Sequence, residues 1–198
     1  MRPFARSLPL LIASALALPA ADLVVGLAAP DFAVKDTSGR TVALAQLKGK
    51  VVVLEWTNPG CPFVQRHYQG GSLPALQRQA QAQGAVWITF NSTNSGHKDF
   101  RGAEALAKEY GDWKAAAAHL VLDPEGTVAR AYQAKTTPHL FVIDATGKLA
   151  YMGAVDDDPR GNKDTRMDYV GLALAALKAG KVPAVTQTAP YGCSVKYK

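Results

Sequence analysis

The sequence predicts an α/β fold: a mixed central β-sheet with helices on both faces and an N-terminal β-hairpin. Two observations predict it. Short apolar, β-branched runs at 51–54, 85–90, 119–122 and 140–143 alternate with stretches of helical spacing. A strand pair and one terminal helix then follow, the pattern of a sheet covered by helices on both sides.

Ala29-Pro30-Asp31-Phe32-Ala33-Val34 reads as an extended segment, Asp36-Thr37-Ser38-Gly39-Arg40 as turn chemistry and Thr41-Val42-Ala43-Leu44 as the return strand, which together make the hairpin. After the turn Lys48-Gly49-Lys50, Val51-Val52-Val53-Leu54 is the nearly unbroken run of a strand buried on both faces, so it is expected at the centre of the sheet. Asn58-Pro59-Gly60 ends it, and a helix from about Pro62 to Gln83 is expected, bent near Gly70, Gly71 and Pro74. Pro62 fits the first turn because its missing N–H has no helical partner there anyway. A strand over Ala85–Phe90, a helix over Arg101–Tyr110 and a third core strand over His119–Leu122 follow. Asp123-Pro124-Glu125-Gly126 caps a short helix through Ala131, and Thr137-Pro138 leads into the strand Leu140–Ile143. Ala145-Thr146-Gly147-Lys148 turns that strand into Leu149–Met152. The last helix is expected over Thr165–Ala179, with Leu172, Leu174 and Leu177 at core-like spacing and Gly180 as its stop. The acid-rich stretch 156–164 has no fixed cation-ligand spacing and reads as a solvated loop.

With 198 residues, 48% of them hydrophobic and 19% charged, the chain can bury one core and is not a disordered sequence. Its start reads as an export signal: Met1, Arg2 and Arg6 supply a basic end, Leu8 to Leu18 an apolar run, and Ala20 and Ala21 small residues beside a cleavage point. The run is shorter than the roughly 20 residues that span a bilayer, and Asp22 stops it, so no stable membrane insertion is expected after cleavage. The expected organisation is a signal at 1–21, one domain at 26–180 and a tail at 181–198 that carries Cys193, in a periplasmic or secreted protein. The formal charge of +6 is scattered, without the Lys/Arg patch and interleaved aromatics that nucleic-acid binding needs. No cofactor and no metal is expected, and oligomeric state is left open.

Export puts Cys61 and Cys193 where disulfides persist, and a pair fits either a staple or a redox couple. A chain of this size does not need one disulfide to fold, which favours chemistry. Cys61 stands where a central strand gives way to a helix. Unpaired N–H groups and the positive end of the helix dipole lower a thiol there from about 8.5 toward neutrality. Glu55, six residues earlier, either lies in the dry interior, where a carboxyl with a raised pKa suits proton transfer with a thiol, or points outward at the strand's end. In Thr137-Pro138 the proline takes either the usual trans bond or the cis bond, which would present the preceding backbone to an extended partner.

These residues resemble the thioredoxin-fold proteins, in which the first active-site cysteine opens a helix, a buried acid lies six residues upstream and a cis-proline packs beside the thiol. Ala29-Pro30-Asp31-Phe32, Lys48-Gly49-Lys50-Val51-Val52-Val53, Leu122-Asp123-Pro124-Glu125-Gly126 and Thr137-Pro138-His139-Leu140-Phe141-Val142-Ile143-Asp144-Ala145-Thr146-Gly147 resemble more specifically the redoxin branch. That branch contains peroxiredoxins of the alkyl hydroperoxide reductase/thiol-specific antioxidant type, and the likeness runs over about 26–180. It implies an exported thiol oxidoreductase or antioxidant protein with Cys61 as redox thiol, Glu55 as proton acceptor, and Thr137, Pro138 and Asn58 at the substrate. Its partners would be protein thiols and disulfides or small peroxides.

The chain departs from those patterns in two places. Val64 stands where a thioredoxin has its second cysteine, so no dithiol closes within one helical turn. Asn58, not threonine, lies three residues before Cys61, with Thr57 four before. Arg101 and Arg130 are candidates for the family's activating arginine only by default. Cys193, beyond the last helix in a segment free to return to the site, can resolve an oxidised Cys61; a permanent disulfide and two independent thiols remain open alternatives. A different class of function is a metal- or peptide-binding module without turnover, with Cys61 and His67 or His139 as soft-metal ligands or the groove by Pro138 as a peptide site. His97 and His119 have no nameable partner in the sequence.

Overall fold

The computed structural model describes residues 23–198; the expected signal segment lies outside them. Its strands are β1 (Ala33–Lys35), β2 (Thr41–Ala43), β3 (Val52–Trp56), β4 (Val86–Asn91), β5 (His119–Leu122), β6 (Thr136–Thr137), β7 (His139–Ile143), β8 (Leu149–Gly153) and β9 (Cys193–Ser194). Its α-helices are α1 (Pro62–Gln69), α2 (Ser72–Ala82), α3 (Ala103–Asp112), α4 (Thr127–Ala131) and α5 (Tyr169–Lys178), and a 3-10 turn covers Leu44–Leu47.

Five strands form the central sheet in the order β5-β4-β3-β7-β8. β3, β4 and β5 run parallel, whereas β7 is antiparallel to β3 and β8 to β7. The β-branched run therefore sits at the centre, and all five residues of β3 are buried. Because side chains alternate across a strand, Val53 and Glu55 face one side and Leu54 and Trp56 the other. On the first side Val53, Trp87 and Leu140 pack with Cys61, Val64 and Tyr68 of the Cys61–α1 segment and with residues of α2, α3 and α5. On the second, a Trp56–Phe90 stack at 4.9 Å anchors a core closed by the β1–β2 hairpin and α4.

Several elements differ from the sequence reading. The long helix is two: Gly70 ends α1, and Gly71, at φ +78°, takes the left-handed backbone that restarts the chain as α2. The last helix begins at Tyr169 rather than Thr165, because the Asp168 carboxylate accepts the Gly171 N–H at 2.8 Å and caps it, while the Met167 N–H is turned back to Asp157. Leu172 is 53% exposed; Val170, Ala173 and Leu174 form the buried stripe, so Leu172 falls on the outer face. The acidic loop is not wholly solvated, since Asp156 and Asp158 are buried. Asp158 Oδ1 accepts the Gly161 and Asn162 N–H groups, folding the loop on itself.

After α5 the tail does not dangle. Thr186 and Thr188 exchange backbone hydrogen bonds with Met152 of β8, and β9 pairs antiparallel with β6, Cys193 opposite Thr137 and Ser194 opposite Thr136. Among the described residues no helix is long and apolar enough to cross a membrane.

Candidate active site

The turn Asn58-Pro59-Gly60 sets Cys61 at the mouth of α1. Asn58 Oδ1 accepts the Gly60 N–H at 2.7 Å and the Asn58 carbonyl accepts the Cys61 N–H at 2.9 Å, so the side chain and backbone of Asn58 shape the loop that presents the cysteine. Asn58 is itself buried, and its Nδ2 has no hydrogen-bond partner. Cys61 takes the N-cap position with extended backbone, and Pro62 follows at N1, as its fixed φ allows.

Cys61 is 1% exposed. As a thiol its Sγ donates to the Thr137 carbonyl at 2.9 Å. The Thr137–Pro138 bond is cis. Across the β6–β9 bridge stands Cys193, unbonded and half-buried, so the two thiols meet on either side of Thr137. Burial pushes the Cys61 pKa up, but the thiol of Cys193, the N–H groups of Val64 and Cys193 and the Thr137 side chain all turn hydrogens toward the sulfur, and the net shift is downward. Burial and the proton it shares with Cys61 push Cys193 up to about 11. The two thiols are thus shifted in opposite directions, Cys61 toward the thiolate and Cys193 away from it.

Glu55 faces inward, on the same side of the sheet as Cys61, and is fully buried. Trp87 Nε1 donates to Oε2 at 2.8 Å, Tyr68 Oη to Oε1 at 2.9 Å, and Gln77 Nε2 and Thr89 Oγ1 to Oε2 at 3.2 Å. Burial raises its pKa to about 7 even against these donors. The Tyr110 phenol, bonded to Thr57 Oγ1 at 2.6 Å, feels the charges of both Glu55 and Cys61.

The histidines are elsewhere. His139 shares a face of β7 with Phe141, 4.3 Å between ring centroids, on the side of the sheet away from Cys61, and its Nδ1 accepts the Lys135 N–H. His67 has Ser72 on Nδ1 at 2.9 Å and Tyr191 on Nε2 at 2.9 Å; burial and the neighbouring Arg66 hold its pKa down at about 4. His119 does have a partner, Asp36 at 2.8 Å. Arg130 lies over the Tyr197 ring, and Arg101 pairs with Glu109, so neither guanidinium is used at the sulfur. Among the described residues no three His, Cys, Asp or Glu side chains are grouped to hold a metal ion.

Two sets of residues escaped the sequence reading. Tyr68 and Gln77 serve Glu55 from the two helices that follow its strand; the only signal is that Tyr68, seven residues beyond Cys61, returns to the same helical face. The other set holds the tail: the Tyr191 hydroxyl donates to Asp156 Oδ1 and meets His67 Nε2, with Arg66 at 3.4 Å. Tyr191 and Gly192 immediately precede Cys193, and that adjacency was the available hint.

Comparison with known proteins bears on the family and the fold. The thiol-disulfide oxidoreductase ResA of Geobacillus thermodenitrificans (strain NG80-2) is 28% identical over 129 residues, 64% of this chain and 67% of its own length. The crystal structure of an uncharacterized conserved protein from Geobacillus kaustophilus superposes with a TM-score of 0.80 at 26% identity, over 90% of this chain and 94% of that one. The thioredoxin domain of the thiol-disulfide oxidoreductase BVU-2223 from Bacteroides vulgatus, at 21% identity, shares the fold, with a TM-score of 0.52 over 66% of this chain and 89% of that one. Residues 25–152 match the AhpC/TSA family, and with the site built on that scaffold the chain belongs to the AhpC/TSA family in its thioredoxin-like fold.

Proposed function

We propose that this chain is a thiol-dependent oxidoreductase that cycles between a Cys61/Cys193 dithiol and a disulfide joining them. The observation that carries the reading is the pair of thiols placed across Thr137, one shifted toward thiolate and the other away from it. The Cys61 thiolate attacks one sulfur of a substrate disulfide; that S–S bond breaks, a mixed disulfide forms on Cys61, and half of the substrate leaves as a thiolate. Cys193 then gives up its proton and attacks the Cys61 sulfur, expelling the second half. Two electrons pass from the protein to the substrate, and a reducing thiol restores the pair. Glu55, with a pKa near 7 on the same side of the sheet, is assigned as proton acceptor. Thr137, Pro138 and Asn58 are assigned as the wall against which the substrate sulfur is held.

The family match favours a peroxide as a second class of oxidant. Attack on the O–O bond would leave a sulfenic acid on Cys61 and release an alcohol or water, and Cys193 would then displace water to form the same disulfide. We place the protein in a periplasmic or secreted setting, with 1–21 as export signal, 26–180 as the redox domain and 181–198 as the tail, because the basic start and short apolar run of the sequence support it.

The test is mass determination of the purified protein before and after one equivalent of a disulfide or of hydrogen peroxide, with thiol alkylation and peptide mapping. A loss of two hydrogens mapped to Cys61 and Cys193, reversed by mild reductant, is expected. If both thiols alkylate as before after either oxidant, the redox reading is wrong.

A further inference from the structure

The backbone edge beside Cys61 is already occupied. A strand recognises an extended polypeptide through its free N–H and C=O groups, with pockets for alternate side chains. On β6 those groups are taken by β9, and the Val195 N–H extends the pairing to the Lys135 carbonyl at 3.1 Å.

The tail is fastened on both flanks of Cys193. On one, the Tyr191 hydroxyl is built into the His67–Asp156 cluster. On the other, Val195 is buried in the core. Asn94 holds the Lys196 carbonyl with both its N–H and its Nδ2, and Tyr197 donates to the Ala134 carbonyl at 2.7 Å beneath the Arg130 guanidinium. Between the flanks Gly192 has φ +136°, and a Cβ there would land on the Thr137 carbonyl, so only glycine lets the tail lie this close to the cis-proline turn.

We propose that the docked tail makes Cys61 selective for small oxidants: it takes the sulfur of a low-molecular-weight disulfide and refuses one carried on an extended polypeptide, which would have to displace residues 192–195 from β6. The proposal rests on Cys61 being the attacking thiol and adds the class of substrate. An extended peptide reaches the edge only in the molecules whose tail has left it, about 1% of them if the open form is an ordinary minor state.

The experiment uses the full chain carrying Cys193→Ser, which traps the mixed disulfide, and a single reagent: an eight-residue extended peptide whose cysteine is disulfide-bonded to 2-mercaptoethanol. Mass spectrometry reads whether Cys61 has taken the small half or the peptide half, and the same reaction on the urea-unfolded chain gives the intrinsic partition. The native protein is expected to favour the small adduct about 100-fold over that intrinsic ratio, the factor set by a competent fraction of about 1%. Adding Gly192→Ala, or separately Tyr191→Phe at the other fastening, is expected to shift the partition toward the peptide by about tenfold or more. An unfolded-like partition in the native Cys193→Ser protein overturns the proposal while leaving Cys61 as a reactive thiol. So does a partition that neither tail variant moves. If the native chain forms no adduct of either kind, the redox reading falls and this inference with it.

Discussion

The turn at 58–64 and the tail at 190–195 each deliver one sulfur to the same place, yet they are built in opposite ways. Cys61 is held by its own neighbours: an Asn58 turn, a proline at N1 and the central strand behind it. Cys193 is held by distant groups, through a backbone bridge to Thr137 and a tyrosine inserted into a cluster supplied by α1 and the 156–158 loop. The difference shows in the protonation of the two thiols. Donors aimed at Cys61 favour its anion, whereas burial and the hydrogen bond it gives to Cys61 keep the proton on Cys193. A scaffold fixes one sulfur, and a docked segment brings the other.

That contrast can be broken at several points. The largest expected effect is that of Cys61→Ser, which should reduce disulfide reduction under turnover by at least about 1,000-fold, because the attacking atom is gone. Equal loss is expected from Cys193→Ser in turnover, but there the first step should survive, with a stable mixed disulfide on Cys61 in rapid-quench mass spectra. If instead the two variants behave identically in the first step, the sulfurs are not divided into nucleophile and resolver.

Glu55→Gln probes the scaffold side. The folded state holds the Glu55 proton more tightly than the unfolded chain does, so wild-type stability should fall as pH rises from about 4.5 to about 7. The loss over that window is about 3 kcal/mol, complete above it and absent below it. Urea midpoints of Glu55→Gln should lose this slope; a wild-type stability that is flat between pH 5 and 7 would contradict an inward carboxyl with a raised pKa. Tyr191→Phe probes the tail side. It leaves the Asp156 carboxylate short of a donor and should cost about 1–3 kcal/mol in denaturant unfolding, while slowing closure of the Cys61–Cys193 disulfide. The smallest effect is electrostatic: Asp99→Asn, by removing a negative charge that helps to raise Cys193, should lower the pH at which Cys193 alkylates, and a change in the Cys61 profile alone would place Asp99 differently.

What the sequence disclosed follows the same division. Val51 to Leu54, the Asn58-Pro59-Gly60 turn and Pro62 are local signals, and they placed β3 at the centre of the sheet and Cys61 at the start of a helix. The alternatives left open for Glu55 depended on register, and pairing with Thr89 and Leu140 turned it inward. The last helix starts four residues later than the sequence suggests because the capping carboxylate of Asp168 competes with an equally plausible run of polar residues before it. Nothing local could show that the tail docks. Its holding groups, His67, Asn94, Thr137 and Asp156, are spread over about ninety residues of chain, and only the folded sheet gathers them.

The segment that carries Cys193 does one more thing on its way to the site. It lies along β8, the outermost strand, with Gln187 bridged to Met152 and Thr188 packed against Gly153, while Asp36 and Thr37 bond to β5 at the opposite margin. Both flanks of the sheet are thereby sealed against the edge-to-edge pairing that drives aggregation. A molecule whose tail has been pulled away separates Cys193 from Cys61 and bares a sticky strand in the same event. The pairing of the two thiols and the solubility of the protein are therefore guarded by one stretch of backbone.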